Sequence, residues 1–236
     1  QIRLATPEGE ILDTFYPEIN ITVASGNEAG QTVVALTGGK VLYFEVEGKK
    51  LVHRSSKQME REVSCLNLNP FLPRDSTSMD ITSDEKMPTG RKAHVSALCA
   101  VGLWDDFTVR LLSLKSADLT EELQISLSTE DDVGELADDD VQGKRRNRNN
   151  MMARSLCLIT LDFSSSSGSS ASSSHGGTTA SMNSGSVPGV NMLLVGLGDG
   201  TLVSFAVIED DHVRVRSRKE VSLGTQRINL IPLQND

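Results

Sequence analysis

The stretch LCAVGLWDDFTVRLLSL, Leu98 to Leu114, decides the fold because its pattern returns twice, as TVVALTGGKVLYFEV at Thr32 to Val46 and LLVGLGDGTLVSFAV at Leu193 to Val207. In each, an apolar run meets a turn (Thr37 to Lys40, Leu103 to Asp106, Leu197 to Gly200) and a second run alternates apolar with polar residues. The turns carry Gly and Asp, which tolerate the positive φ angles of tight two-residue hairpin connections. Each copy therefore reads as a β-hairpin with one buried face and one wetter face, in need of neighbours to cover it. Three such hairpins in one register indicate a repeat protein.

Working outward, four strands form around each hairpin. The first unit comprises Ile19 to Ala24, Val33 to Leu36, Val41 to Val46 and Leu51 to Arg54. The second comprises Val63 to Leu68, Val95 to Val101, Thr108 to Leu114 and Leu123 to Leu127, and the third Ser155 to Leu161, Met192 to Leu197, Leu202 to Val207 and Val213 to Val221. Ile2 to Ala5 and Leu12 to Phe15 read as the last strands of an earlier unit, and Ile228 to Leu233 as the opening of a later one. Without insertions a unit is roughly 40 to 45 residues of four strands, the spacing of propeller blades rather than of ankyrin or leucine-rich repeats. The expected fold class is all-β, a β-propeller fragment of about three complete blades with partial blades at both ends, all 236 residues belonging to one domain. A β-sandwich is the competing architecture, disfavoured because the same phrase recurs at one fixed place in each unit.

Three insertions interrupt the units, at 71–92, 128–153 and 164–190, and all are expected to be disordered. The first is rich in Pro, Ser, Thr and Asp. Ten acidic residues and no basic one lie between Asp118 and Asp140, followed by Lys144, Arg145, Arg146, Arg148 and Arg154, a block pattern typical of solvated chain. The stretch Ser164 to Val190 is mostly Ser, Gly and Thr, with an ordering entropy that no apolar burial offsets.

A net charge of -9 argues against direct nucleic-acid binding, since no basic stripe exists to neutralise phosphates. No segment has the ~18 apolar residues of a membrane span. Cys65, Cys99 and Cys157 lie inside apolar runs at spacings that suit neither disulfides nor zinc, and read as buried thiols. Gln1 falls within a strand pattern, so the chain reads as a fragment of a longer protein. Expressed alone, with uncovered blades at both ends, it is expected to be poorly behaved.

No catalytic constellation, metal site or cofactor site is legible. Gly196, Gly198 and Gly200 are followed by a strand where a dinucleotide fingerprint requires a helix. Gly39 and Lys40 lack the rest of a phosphate loop, and His53, His94, His175 and His212 stand singly. What remains is surface. In a four-stranded meander the connection between strands two and three exits on the same face as the link to the next unit. That places the three hairpin turns with the links Tyr16 to Asn20, Met59 to Glu62 and Leu223 to Gln226, and sends the first and third insertions to the opposite face. Trp104, the only Trp, occupies a hairpin tip where the matching positions are Gly39 and Gly198. An amphipathic ring at an exposed tip suits an interface anchor; the alternative is a ring folded back on its own blade. Glu62 supplies a charge on that face.

ITVASGN at Ile21 to Asn27, MEREVSCL at Met59 to Leu66, LCAVGLW at Leu98 to Trp104, LGDG at Leu197 to Gly200 and LGTQ at Leu223 to Gln226 together resemble the large-subunit family of DNA damage-binding and polyadenylation factors, at its middle propeller. The insertions fall outside the resemblance and read as lineage-specific, fungal additions. The resemblance implies three seven-bladed propellers that act as adaptor in cullin 4 type ubiquitin ligases, in DNA repair and protein turnover, in nucleus and cytoplasm. It implies that the middle propeller docks the cullin while the others hold substrate receptors. Glu62 and Trp104 match family positions on the cullin-facing side; Asp105, Asp106 and Tyr16 are candidates by neighbourhood. Two other readings remain, a scaffold in RNA splicing or polyadenylation, which shares the family, and a propeller enzyme, for which no acid, base or metal cluster is visible.

Overall fold

Every residue of the two strands inside the deciding stretch is buried. The structure is a computed structural model and describes residues 1–72, 93–115, 118–128, 152–161 and 189–232. Its strands are β1 (Ile2–Ala5), β2 (Ile11–Phe15), β3 (Ile21–Gly26), β4 (Gln31–Leu36), β5 (Lys40–Glu47), β6 (Lys50–Gln58), β7 (Val63–Asn67), β8 (Leu98–Leu103), β9 (Thr108–Ser113), β10 (Glu121–Ser126), β11 (Ala153–Leu161), β12 (Val190–Leu197), β13 (Thr201–Glu209) and β14 (Val213–Ser222). They form the sheets β3-β4-β5-β6, β7-β8-β9-β10 and β11-β12-β13-β14, each an antiparallel meander, beside a two-stranded β1-β2 sheet. These are three complete propeller blades and part of another.

The blades stack face to face. On β4, Val33 and Ala35 join Cys99, Val101 and Leu103 of β8 in one apolar layer, while Val34 and Leu36 turn the other way toward Ile2 and Phe15. On β8, Leu98 and Ala100 pack with Leu156 and Leu158 of β11 and Leu193 and Val195 of β12. Successive side chains of a strand point to opposite faces, so one strand feeds two layers. The sequence pattern suggests one wetter face per hairpin; for β8 and β9 both faces are dry, because a sheet sandwiched between two others reads as a continuous apolar run. Each fully buried Leu or Val here is worth roughly 1.5–3 kcal/mol of transfer free energy.

Polar side chains stitch adjacent blades at buried places. The Gln31 amide of blade one donates to the Ser96 carbonyl (3.1 Å) and accepts from the Ser96 N–H (2.6 Å) ahead of β8. The Asn67 side chain of β7 accepts the Leu158 N–H of β11 (2.9 Å). A β-bulge recurs near the start of each first strand, between Ile21 and Val23, Val63 and Cys65, and Ala153 and Ser155.

At the edges of the insertions the structure departs from expectation. Phe71 packs against the core between blades two and three, and the Leu72 N–H is held by Thr160 Oγ1 (2.8 Å). Met152 and Ala153 are buried, the latter inside β11, and Val190 opens β12. The remainder of the three insertions lies outside the described residues, apart from Ser128 and Gly189 at their margins. Ile228 to Pro232 form no strand; this segment instead lies beside blade three, with the Leu230 N–H donating to Ser155 Oγ (2.7 Å).

Gly39 closes the β4–β5 turn at φ +81°, and a Cβ there would lie 2.4 Å from the Arg61 carbonyl oxygen. Gly38 also has positive φ but open space around it. Gly39→Ala is expected to lower stability by about 2–3 kcal/mol, against about 1 for Gly38→Ala, because only the first adds a backbone clash to the strained angle. Unfolding midpoints of the full-length protein check this; equal shifts would show that the Arg61 backbone gives way freely.

Candidate functional site

Backbone hydrogen bonds clamp the first two hairpin tips on both sides and the third on one. The first tip residue donates to the link before its blade: Thr37 N–H to the Asn20 carbonyl (2.9 Å) and Trp104 N–H to the Glu62 carbonyl (2.8 Å). The last tip residue accepts from the segment that follows its blade: Gly39 from Met59 N–H, Phe107 from Leu127 N–H and Gly200 from Leu223 N–H, each at 2.9 Å. Trp104 thus corresponds to Thr37 and Gly198, not to Gly39. The tips are Thr37–Gly39 and Gly198–Gly200, of three residues, and Trp104–Phe107, of four. The two-residue turns read from the sequence are each longer than expected. Within the longer tip, Asp105 (φ 60°) and Phe107 (φ 48°) occupy left-handed conformations that L side chains rarely adopt. Phe107 does so where the other two tips use Gly.

Trp104 is 36% exposed. The guanidinium of Arg154, the bulge residue of β11 in the next blade, stacks over its ring at 4.2 Å from the centroid. The Asp105 N–H points at Met152 Sδ (3.3 Å) ahead of the same strand. On its other side Trp104, with Asp105, Gly38, Glu60, Arg61 and Glu62, lines an open groove of about 480 Å³. Bulges re-aim single side chains, and this one brings Arg154 to the tip face instead of leaving it in the basic run of the insertion.

The other sequence candidates separate. Glu62 is exposed, but Oε1 accepts the Gly38 N–H (3.1 Å) while its backbone carbonyl accepts the Trp104 N–H, so the residue as a whole bridges two neighbouring tips. Asp105 is exposed beside Trp104. Asp106 turns inward, accepting from Thr108 Oγ1 (2.7 Å) and from Arg110 Nη2 (2.7 Å). Tyr16 is 72% exposed in the link between β2 and β3 and does not line the groove. Sequence reasoning missed Glu60, Arg61, Arg110 and Arg154. Arg110 left a signal, a lone charge between Val109 and Leu111 in an apolar run; Arg154 left none, because a bulge is invisible to pattern reading.

The three thiols are buried among apolar side chains, which pushes Cys65 up to about 11 and Cys99 up to about 12 and raises Cys157 as well. Among the described residues, no three or more His, Cys, Asp or Glu lie together so as to hold a metal ion.

Four-stranded antiparallel blades stacked face to face, with their tips aligned on one side, define this chain as a β-propeller segment. It belongs to the RSE1/DDB1/CPSF1 second β-propeller family, whose description matches residues 2–236. It is 30% identical to DNA damage-binding protein 1 of Oryza sativa subsp. japonica over 223 residues, covering 94% of this chain and 14% of that protein. It is 27% identical to DNA damage-binding protein 1a of Arabidopsis thaliana over 223 residues, with the same coverage of 94% and 14%. The chain therefore spans a small part of these curated relatives. Among solved structures it is similar to the WD40 domain of SCAP from fission yeast (TM-score 0.47, 11% identity, 89% of this chain and 36% of that one). It is also similar to the β-propeller domain of Cps50 (Swd1) from Myceliophteria thermophila (TM-score 0.45, 13% identity, 91% and 45%). The chain is a scaffold propeller of the kind found in DNA damage-binding protein 1.

Raised thiol pKa values carry a pH signature. The folded state holds Cys65 and Cys99 protonated beyond the ordinary value of 9.0, so their contribution to stability is complete below pH 9 and is lost as pH rises toward 11 and 12. Iodoacetamide labelling at pH 8 is expected to leave both thiols unmodified until the protein unfolds; rapid labelling of the native protein would contradict their burial.

Proposed function

We propose that the tip face around Trp104 docks the N-terminal domain of a cullin 4 family scaffold, so that the full-length protein serves as an adaptor of a ubiquitin ligase in DNA repair and protein turnover, in the nucleus and cytoplasm. The observation that carries this reading is the exposed Trp104 ring on a four-residue tip, beside a groove whose rim bears the Glu60, Glu62 and Asp105 carboxylates. A large amphipathic ring held on one side by Arg154 and open to a groove on the other has the profile of a binding hot spot, and exposed carboxylates around it favour a partner with basic side chains at the rim. The resemblance of the MEREV and GLW segments, and the DNA damage-binding names of the relatives, support the same assignment. Substrate receptors fall to other parts of the full-length protein. With a net charge of -9 on this segment, direct contact with nucleic acid is not part of the reading.

Trp104→Ala in the full-length protein is expected to weaken binding to the cullin N-terminal domain by ~30-fold or more, about 2 kcal/mol, with the melting temperature unchanged. Equal binding by wild type and variant would move the interface elsewhere on the propeller. Failure of the wild type to bind any cullin, together with co-purification of splicing or polyadenylation factors, would replace this reading with an RNA-processing scaffold.

A further inference from the structure

We propose that Arg110 is the positioning residue of the tip face, holding the Trp104–Phe107 loop in the shape that presents the Trp104 ring. Arg110 lies on β9 directly behind the loop, with its side chain only 8% exposed. One guanidinium there serves several acceptors. Nη2 donates to Asp106 Oδ2 (2.7 Å), Nη1 to Glu121 Oε1 (2.9 Å) and Gln124 Oε1 (2.7 Å), and Nε to Thr108 Oγ1 (3.2 Å). Glu60 Oε2, from the groove-lining link, lies 3.9 Å from Nη2. The carboxylates converging here come from three separate pieces of chain: the loop (Asp106), the outer strand β10 (Glu121) and the blade link (Glu60). Without the cation they repel one another, and Asp106 loses the only charge that holds it inward among the described residues.

The loop needs such a tether. It carries one residue more than the equivalent tips, and Asp105 and Phe107 both sit at positive φ without being Gly. A conformation that its own residues disfavour persists only where surrounding contacts over-determine it. The backbone bonds from Trp104 N–H and to the Phe107 carbonyl fix the two ends; Arg110 fixes the middle through Asp106. A planar fork serves these oxygens together, where the point charge of a Lys ammonium reaches one or two. Arg110 touches no partner in this scheme. It acts through Trp104, and its consequence for binding rests on the docking reading above.

The test combines hydrogen exchange with a double-mutant cycle in the full-length protein. Arg110→Met is expected to accelerate amide exchange in peptides covering Trp104 to Phe107 and Leu127 by at least 10-fold, leaving peptides covering Thr37 and Met59 in blade one unchanged. It is expected to weaken cullin N-terminal domain binding at least 10-fold, with Arg110→Lys recovering part of the loss. In a Trp104→Ala background, Arg110→Met should add less than twofold, because a positioning residue has no effect once the positioned ring is gone. A full, independent loss in that background, or wild-type exchange in the loop, overturns the proposal. If Arg110→Met does not fold, Asp106→Asn cuts the same tether from the loop side and must give the same local acceleration; unchanged exchange in that variant overturns it too. Should the wild type bind no cullin, the docking reading fails separately, and the exchange result alone decides the role of Arg110.

Discussion

The structure depends on the burial of both faces of a single thin sheet. Blade two has apolar side chains on each side of β7 to β9, and neither side is stable in water. Its neighbours must therefore lie flat against it, and the same demand passes outward from blade to blade. Face-to-face stacking of antiparallel meanders brings every second connection to the same side, which is why tips and links form one continuous rim. Clamping each tip to a link then follows from the need of exposed turn backbone for partners. The rim is thus a by-product of core packing that a partner surface can use.

Within that rim the chemistry is that of contact. Glu62 and Gly38, or Trp104 and Arg154, connect successive blades through side chains that remain partly open to solvent. The thiols, the most nucleophilic side chains of the described residues, are locked into the apolar layers and held protonated. Buried polarity is spent on cohesion, as in the Gln31 node, whose amide bonds Tyr43 within its own blade and Ser96 in the next.

Blade number, strand order and the sorting of connections into two faces were legible in the sequence, because period-two alternation and Gly- or Asp-bearing turns are local signals. So was the exposure of Trp104. The site is less legible wherever it depends on register. Trp104 matches Gly198 but not Gly39, which lies two positions further into its tip, because the boundary between strand and turn is fixed by strand pairing and not by the apolar pattern. Asp106 reads as a surface carboxylate until Arg110 is seen behind it, and Arg154 belongs by composition to the basic run before it, although a bulge in β11 delivers it to the ring. The margins of the insertions are a similar case. Phe71 and Met152 look like loop residues in one dimension; in three, Phe71 packs against the layer between blades two and three and Met152 is buried.

The clamp at the tips has a further consequence. Because Trp104 and Phe107 make the same two backbone bonds as Thr37 and Gly39, the longer tip leaves the β8–β9 register continuous from Gly102 opposite Val109 to Leu98 opposite Ser113. The added residue is absorbed between the two clamped ends, where it changes relief and not architecture. Such a rim separates the inheritance of shape from the inheritance of recognition: turn length and turn residues can drift from one blade to another, giving each sector its own contour, while the layers beneath remain interchangeable.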